Sequence, residues 1–188
     1  MNPADLRFAH CDDYTATLNV ARLDTPIGKI LAVFSSEGLC LLEFADQDQL
    51  QRELTHLHQA LSANFSWQKS VYHDEFQHEL AEYFAGRLKT FNTPLHMVGT
   101  DFQKQVWQVL LTIPYGATLS YKEQAQQLGN VKAIRAVAAA NGQNKVSILI
   151  PCHRVIGSDG KLVGYGGGMA RKRFLLDLES GMEQGTLF

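Results

Sequence analysis

Cys152 stands in the segment Pro151-Cys152-His153-Arg154, where the residue types are suited to thiol chemistry. Cysteine reacts as its thiolate, and positive charge from His153 and Arg154 would favour that form. If Glu179 orients His153, the carboxylate holds the imidazole while the imidazole takes the thiol proton, as in an activated nucleophile. The residue types alone leave three interpretations of Cys152 open: a reactive cysteine, a redox or structural cysteine, and the nucleophile of a cysteine hydrolase.

Residues 146–150, with the sequence Val-Ser-Ile-Leu-Ile, are predicted to form the short buried strand that delivers Cys152. Neighbouring residues on a strand point to opposite faces, so Cys152 and His153 can meet only where the chain leaves strand geometry. Pro151 favours such a departure. We therefore expect a thiol at the end of a strand, followed at once by a change of direction.

Three helices are predicted at the start of the second half of the chain. Residues 100–103 and 120–123 each have the form of a capping box, in which two side chains satisfy free N–H groups at a helix start. The second helix closes at Gly129, and Asn130 is expected to cap the third, which runs to Gly142. The last two helices predict a helix-turn-helix, although such pairs also occur in proteins that never bind DNA.

The third predicted helix carries almost no bulky side chain between Arg135 and Ala140. Its backbone could therefore approach a DNA groove closely while Arg135 reaches outward. Tight packing against a neighbouring helix is an equally natural interpretation of these alanines. The pattern favours a DNA-facing helix only when it is taken together with the helix-turn-helix.

The first half of the chain is predicted to be an α/β domain. Apolar runs within residues 18–44 are separated by turn compositions, which predicts a small antiparallel sheet, and helical spacing of apolar residues follows. Residues 90–99 have the composition of a linker. We therefore expect an α/β domain of residues 1–99 and a mainly helical domain of residues 100–188.

Charge is distributed unevenly along the 188 residues, whose formal net charge is −2. Residues 1–99 hold 7 basic and 13 acidic side chains, whereas residues 100–188 hold 10 and 6. A general nucleic-acid binder is thereby disfavoured, and any basic surface is expected in the second half.

The sequence also bears on the location of the protein in the cell. No apolar run is long enough to span a membrane, and no signal peptide is evident. Three widely spaced cysteines indicate reduced thiols, so a cytoplasmic location is expected.

Residues 150–157, Ile-Pro-Cys-His-Arg-Val-Ile-Gly, followed by residues 164–168, Gly-Tyr-Gly-Gly-Gly, resemble the signature of the O6-alkylguanine-DNA alkyltransferase family. The resemblance runs almost without gaps from Thr100 to about Gly181 and is looser in the first half. It implies an N-terminal domain of ribonuclease-H-like shape and a helical C-terminal domain with a winged-helix-like helix-turn-helix. That domain would bind the minor groove of double-stranded DNA.

The same resemblance implies direct-reversal DNA repair in a single turnover. The thiolate of Cys152 would attack the alkyl carbon on the O6 of guanine and give S-alkylcysteine and repaired guanine, and the sequence leaves open whether O4-alkylthymine is also a substrate. The nucleotide must leave the base stack to reach a buried thiol. No cofactor is expected. Two rival functions remain: a cysteine hydrolase, which would turn over repeatedly, and a non-catalytic alkyl-lesion binder. The presence of a cysteine at position 152 counts against the lesion binder.

Family roles carry over to several further residues. Arg135 matches the finger that fills the gap left by the flipped base, with a phosphate contact or a surface ion pair as its alternatives. Tyr121 would donate to a ring nitrogen as charge develops on guanine, and otherwise would be a core tyrosine. Asn144 would brace the turn beside the active site, where Lys145 replaces a proline common in the family.

The remaining lesion contacts are expected along two segments. Backbone groups of Val155 and Tyr165 would hold the edge of the base, while Gly166 and the two glycines after it would leave room for the alkyl group. Some relatives carry serine at Gly166, so one contact is expected to be reduced here. Ser120 and Ala136 are expected to contact DNA.

Two other features invite functional interpretations. No compact metal-ligand spacing links the chain's scattered histidines and cysteines, so no zinc site is expected. They are His10, Cys11, Cys40, His56, His58, His73 and His78. The C-terminal residues Gln184, Leu187 and Phe188 resemble a sliding-clamp peptide, although Leu187 and Phe188 could equally dock on the protein's own surface. The protein is otherwise expected to act as a monomer.

Overall fold

A computed structural model describes Phe8 and residues 10–181. The C-terminal residues that carry the predicted clamp peptide, Gln184, Leu187 and Phe188, lie outside the described residues. No helix in the described part of the chain is long and apolar enough to cross a membrane.

The first half of the chain is built on a four-stranded sheet with the strand order β3-β2-β1-β4. Its strands are β1 (Ala16–Thr25), β2 (Gly28–Ser35), β3 (Gly38–Phe44) and β4 (Ala63–Ser66). The pairs β1–β2 and β2–β3 are antiparallel, which confirms the antiparallel pairing predicted for residues 18–44. The short strand β4 lies parallel to β1 and was not predicted, so the sheet is mixed rather than purely antiparallel.

Both faces of this sheet are buried, each against a different set of helices. Leu31 and Val33 of β2 face helix α1 (Leu50–Ala60) in one apolar cluster. Ile30 and Ala32, which alternate with them, belong to a second cluster that includes helix α2 (His73–Phe84) and the helices of the C-terminal half. Because successive strand residues point to opposite faces, one strand contributes to both clusters. The second cluster is continuous between the two halves of the chain.

The second half is mainly helical, as predicted. Its helices are α3 (Asp101–Leu111), α4 (Tyr121–Gln127), α5 (Ile134–Gly142) and α6 (Met169–Ser180), and its two short strands are β5 (Leu119–Ser120) and β6 (Val155–Ile156). The strands β5 and β6 pair in parallel. We propose the domain boundary at Thr100, where the chain enters α3.

Both predicted capping boxes are present. Thr100 accepts from the Gln103 N–H at 3.3 Å while the Gln103 side chain accepts from the Thr100 N–H at 2.8 Å, and Ser120 and Glu123 repeat the arrangement at α4. The prediction for Asn130 was wrong in one respect. Asn130 caps a single 3₁₀ turn, and the α-helical part of the third helix begins four residues later.

The predicted strand over residues 146–150 was wrong. Only Val146 makes a bridge, parallel to Leu42 of β3, and a turn follows in which the Ile150 N–H donates to the Val146 carbonyl at 3.0 Å. Ile148 has a φ of 72°, which a β-branched residue rarely adopts. A compact turn buries these apolar side chains as fully as a strand would, so the apolar run could not distinguish the two.

Candidate active site

A buried carboxylate, Glu179 of α6, lies at the centre of the candidate active site. Its Oε1 atom lies 2.8 Å from Nε2 of His153 and accepts from Arg154 Nη2 at 2.9 Å, while its Oε2 atom accepts from Arg154 Nε at 2.7 Å. The remaining guanidinium nitrogen, Nη1 of Arg154, donates to the carbonyl of Ile113 at 2.6 Å. All three charged or polar side chains are therefore held in one network away from water.

The protonation state of Glu179 follows from this network. Burial acts to raise its pKa, but hydrogen bonds from His153 and Arg154 outweigh burial and lower the pKa to about 2. An ionised carboxylate can only accept hydrogen bonds, so Nε2 of His153 must carry the hydrogen that points at it. Burial lowers the pKa of His153, which keeps the imidazole neutral at neutral pH. The second ring nitrogen, Nδ1, is then free of hydrogen and basic.

Cys152 lies at the start of a 3₁₀ turn of residues 152–154, directly after Pro151. The predicted change of direction at Pro151 is present, but it follows the turn of residues 146–150 rather than a strand, so the expectation of a thiol at a strand end was wrong. The Asn144 amide donates to Cys152 Sγ at 3.3 Å and to the Ile150 carbonyl at 2.8 Å, while its oxygen accepts from the Val146 N–H at 3.0 Å. Asn144 thus bridges the turn and the thiol.

The Cys152 thiol is protonated in the free protein. Burial raises its pKa to about 11, although the hydrogen bond from Asn144 acts in the opposite direction. A buried thiol of this kind needs a base before it can attack. His153 Nδ1 is buried and hydrogen-bonded to no group of the described chain, so it is free to accept a proton. The arrangement combines a thiol, a neutral imidazole and an ionised carboxylate.

Cys40 offers a contrast within the same protein. Its thiol is fully buried on β3 and donates to the Val33 carbonyl at 3.2 Å, and burial raises its pKa to about 12. No acid–imidazole pair accompanies it in the contacts the structure describes. Cys40 is therefore a core residue, whereas Cys152 is followed directly in sequence by a histidine that is paired with a carboxylate.

Lys172 of α6 is a site residue that the sequence patterns did not single out. Its ammonium group is fully buried and donates to the carbonyls of Val155 at 2.6 Å, Val163 at 2.7 Å and Gly164 at 3.1 Å. It thereby ties β6 to the glycine-rich loop of residues 164–168. Lys172 lies seven residues before Glu179 on the same face of α6. This spacing could have identified Lys172 as a site residue from the sequence.

Three other residues that were predicted to contact the lesion lie in or near this loop. Tyr121 is half-buried at the start of α4, with its hydroxyl close to Gly164, and burial raises its pKa. The Tyr165 ring lies edge-on to His153 with 6.4 Å between the ring centroids. Val155 already uses its N–H on the Cys152 carbonyl and its carbonyl on Lys172. The roles of these residues toward a base stay predictions.

The three predicted DNA contacts on the helix-turn-helix lie outside the buried network. Arg135 and Ala136 are exposed on the first turn of α5. Ser120 is half-buried, and its hydroxyl is engaged with Glu123 at 2.7 Å as part of the capping box. The exposed first turn of α5 is therefore separate from the buried network beside Cys152. That both act on the same DNA lesion stays a prediction.

Gly166 and Gly167 differ in what surrounds them. A Cβ atom added to Gly167 would lie 2.5 Å from the Phe44 ring and 2.7 Å from the Tyr165 ring, whereas one added to Gly166 would meet only Gln49 at an ordinary 3.5 Å. Packing of the loop on β3 thus requires glycine at position 167, independently of any alkyl group. The expectation that these glycines make room for a substrate stays a prediction.

No metal site is evident in the part of the chain that the structure describes. Within Phe8 and residues 10–181, no group of three or more His, Cys, Asp or Glu side chains is placed to hold a metal ion. His58, one of the scattered histidines, instead lies 2.9 Å through Nδ1 from the carbonyl of Ala63.

Two family models match this chain over most of its length. One, described as 6-O-methylguanine DNA methyltransferase, DNA binding domain, matches residues 101–181, and the other, described as the ribonuclease-like domain of the same proteins, matches residues 18–97. The chain belongs to the O6-methylguanine-DNA methyltransferase family. Its two halves are thus both family domains.

Individual relatives agree with the assignment to the O6-methylguanine-DNA methyltransferase family. A methylated-DNA–protein-cysteine methyltransferase of Mycobacterium tuberculosis is 59% identical over 101 residues, covering 54% of this chain and 61% of that protein, which is less than two thirds of its length. One from Mycobacterium leprae is 43% identical over 157 residues, 84% of this chain and 89% of that protein. A crystal structure of Mycobacterium tuberculosis OGT in complex with DNA superposes with a TM-score of 0.72 at 40% identity, covering 88% of this chain and 93% of that one.

The glycine contacts yield a matched pair of substitutions. Gly167→Ala should lower the free energy of unfolding by about 1–3 kcal/mol, because the added methyl group overlaps the Phe44 ring. Gly166→Ala should change it by less than about 0.5 kcal/mol, as for an ordinary surface substitution. Urea denaturation of both variants measures the difference. Equal stability of the two variants would contradict the packing described for this loop.

Proposed function

We propose that this protein repairs O6-alkylguanine in DNA by transferring the alkyl group irreversibly to its own Cys152. The observation that carries the proposal is the buried Cys152 thiol, hydrogen-bonded by Asn144 and followed directly by a histidine whose Nε2 is fixed on Glu179. A thiol, a neutral imidazole and an ionised carboxylate are the parts of an activated nucleophile. Family membership adds the substrate class.

The proposed reaction is an in-line displacement at the alkyl carbon. The thiol proton passes to Nδ1 of His153, directly or through one water, and Glu179 stabilises the imidazolium that forms. The sulfur of Cys152 then forms a bond to the alkyl carbon as the bond from that carbon to O6 breaks, and the electron pair stays on guanine. Guanine takes up one proton from solvent and the imidazolium of His153 releases one to solvent, so the protons balance. Tyr121 donates a hydrogen bond to guanine as negative charge develops on the base.

The product explains why one molecule repairs one lesion. S-alkylcysteine is a thioether, and releasing its alkyl group would require a thiolate to leave from carbon in a buried pocket. His153 is the base that forms the thiolate from the thiol. The transfer converts that thiolate into a thioether, on which the base cannot act. The enzyme is therefore a methylated-DNA–protein-cysteine S-methyltransferase that is spent after a single turnover, and it uses no cofactor.

DNA is bound through the helix-turn-helix of α4 and α5, in the minor groove, with the lesion flipped out of the stack. Arg135 and Ala136 are exposed at the N-terminal end of α5, and the small side chains that follow allow a close approach to the groove. Extruding a base costs a few kcal/mol, and a guanidinium that stacks in the gap offsets part of that cost. The basic surplus of residues 100–188 supports this side as the DNA-binding side.

We also propose that the protein acts as a monomer in the cytoplasm. Every described group of the active site comes from one chain, so a second copy is not needed to complete it. Cys11, Cys40 and Cys152 are all free thiols, as expected of a reducing compartment. Binding of the C-terminal residues to a sliding clamp stays an expectation from the sequence.

Intact-protein mass spectrometry tests the proposed reaction. After incubation with excess duplex DNA that contains O6-methylguanine, each chain should gain one methylene unit, located on Cys152 by peptide mapping. The Cys152→Ser variant should gain nothing, whereas Cys40→Ala should gain the same single unit as the wild type. Repeated loss of methyl groups from DNA with unmodified protein would indicate a hydrolase, and folded wild-type protein that gains no mass would refute the proposal.

Substitution of Arg135 tests base flipping. Arg135→Ala should slow methyl transfer from duplex DNA by about 10-fold or more, because a gap-filling side chain is lost when a paired base is extruded. Transfer from a single-stranded oligonucleotide should change far less, since little pairing must be broken. Arg52→Ala, a change of an exposed arginine on α1, is the control and should leave both rates unaltered. An equal loss on both substrates would instead indicate a phosphate contact.

A further inference from the structure

Tyr83 of α2 reaches from the N-terminal domain into the network around Glu179. Its hydroxyl donates to Oε1 of Glu179 at 2.7 Å, across 96 positions of sequence, and the whole side chain is only 1% exposed. Oε1 is also the oxygen that faces Nε2 of His153. The N-terminal domain therefore contacts the proposed proton-transfer pair through the Tyr83 hydroxyl group.

The surroundings of Tyr83 leave it little freedom. Its ring packs against the rings of Phe84, Phe91 and Tyr115, with centroids 5.4, 5.3 and 6.1 Å away. Burial raises the pKa of Tyr83 well above its ordinary value, and the negative charge of Glu179 raises it further. The hydroxyl thus keeps its proton at any physiological pH and acts only as a donor toward the carboxylate.

The carboxylate of Glu179 is held by donors on both oxygens. Oε1 receives Tyr83, Nε2 of His153 and Nη2 of Arg154, and Oε2 receives Nε of Arg154 and the Gly116 N–H at 3.3 Å. Arg154 fixes the plane of the carboxylate through two bonds. The Tyr83 hydroxyl supplies the one further side-chain donor on the oxygen that holds the imidazole.

We propose that Tyr83 is a positioning residue for the alkyl transfer, which acts by fixing Oε1 of Glu179 against His153. The inference rests on the proposed function of Cys152. With Oε1 fixed, the imidazole keeps its hydrogen on Nε2 and turns its basic Nδ1 away from Glu179. The N-terminal domain then completes the proton-transfer unit of the C-terminal domain, in addition to supporting it by packing.

Tyr83→Phe tests this role because it keeps the ring and removes only the hydroxyl. Single-turnover methyl transfer from O6-methylguanine duplex should be about 5- to 20-fold slower at saturating DNA, with the half-saturating DNA concentration unchanged. Loss of a donor to the charged form makes the carboxylate more basic, which raises the pKa of Glu179 and, through it, that of His153. The acid limb of the rate against pH should therefore move to higher pH.

Tyr72→Phe is the matched control, because its hydroxyl donates at the surface to the Ser36 carbonyl at 3.0 Å and lies at the start of the same helix. This variant should keep the wild-type rate and pH profile. A Tyr83→Phe protein with the wild-type rate and profile would overturn the inference. So would a slower protein whose acid limb has not moved, since that would indicate a structural effect only.

The two proposals fail separately in these experiments. Wild-type protein that transfers no methyl group refutes the proposed function, whatever the Tyr83 variant does. In that case the ¹⁵N chemical shifts of His153 in wild type and Tyr83→Phe still decide the positioning role. A change confined to Tyr83→Phe, and absent in Tyr72→Phe, supports it, and identical His153 shifts in all three proteins contradict it.

Discussion

The buried carboxylate of Glu179 is the interaction on which the rest of the site depends. An isolated charge in a protein interior is costly, and it is retained only where partners and hydrogen bonds compensate for the lost water. Arg154 supplies the opposite charge through two bonds, and His153, Tyr83 and Gly116 supply the remaining donors. Removing any one charged partner would leave the other buried and unpaired, so the network holds α2, α6 and the turn after Pro151 in one arrangement.

The proposed reactivity of Cys152 follows from this arrangement rather than from the thiol itself. Burial alone makes the thiol less acidic, with a pKa of about 11, and also disfavours a charged imidazole on His153. A neutral imidazole with its hydrogen directed to Glu179 is therefore a base that becomes charged only when it takes the thiol proton. The ionised carboxylate is already in place to stabilise that charge. In the proposed reaction, the thiolate therefore forms when an alkyl carbon is presented and not earlier.

Much of the fold could be predicted from the sequence because its signals are local. Capping boxes at Thr100 and Ser120 and the antiparallel strand alternation depend on residues only a few positions apart, and both were confirmed. Strand β4 could not be predicted, since its four residues are stabilised mainly by pairing with β1, far away in sequence. The turn at Ile148 could not be distinguished from a strand, because burial is the same in both.

The residues of the candidate site could be predicted only in part. Cys152, His153 and Glu179 were identified by residue type and family resemblance, and the structure brings His153 and Glu179 into contact. No local pattern indicated the hydrogen bond from Tyr83 to Glu179, because the two residues lie 96 positions apart in the sequence. Gly167 was assigned to the substrate, whereas its surroundings show that the ring of Phe44 already requires a glycine there. Long-range packing thus accounts for what the sequence pattern missed.

The measurement that tests this account most directly is ¹⁵N NMR of His153 in the folded, DNA-free protein across the neutral pH range. The account predicts a neutral imidazole with hydrogen on Nε2 and a bare, basic Nδ1, because Glu179 is ionised and the ring is buried. A ring that is doubly protonated at pH 7, or neutral with its hydrogen on Nδ1, would contradict the account, because neither form could accept the proton of Cys152 while Glu179 holds the ring.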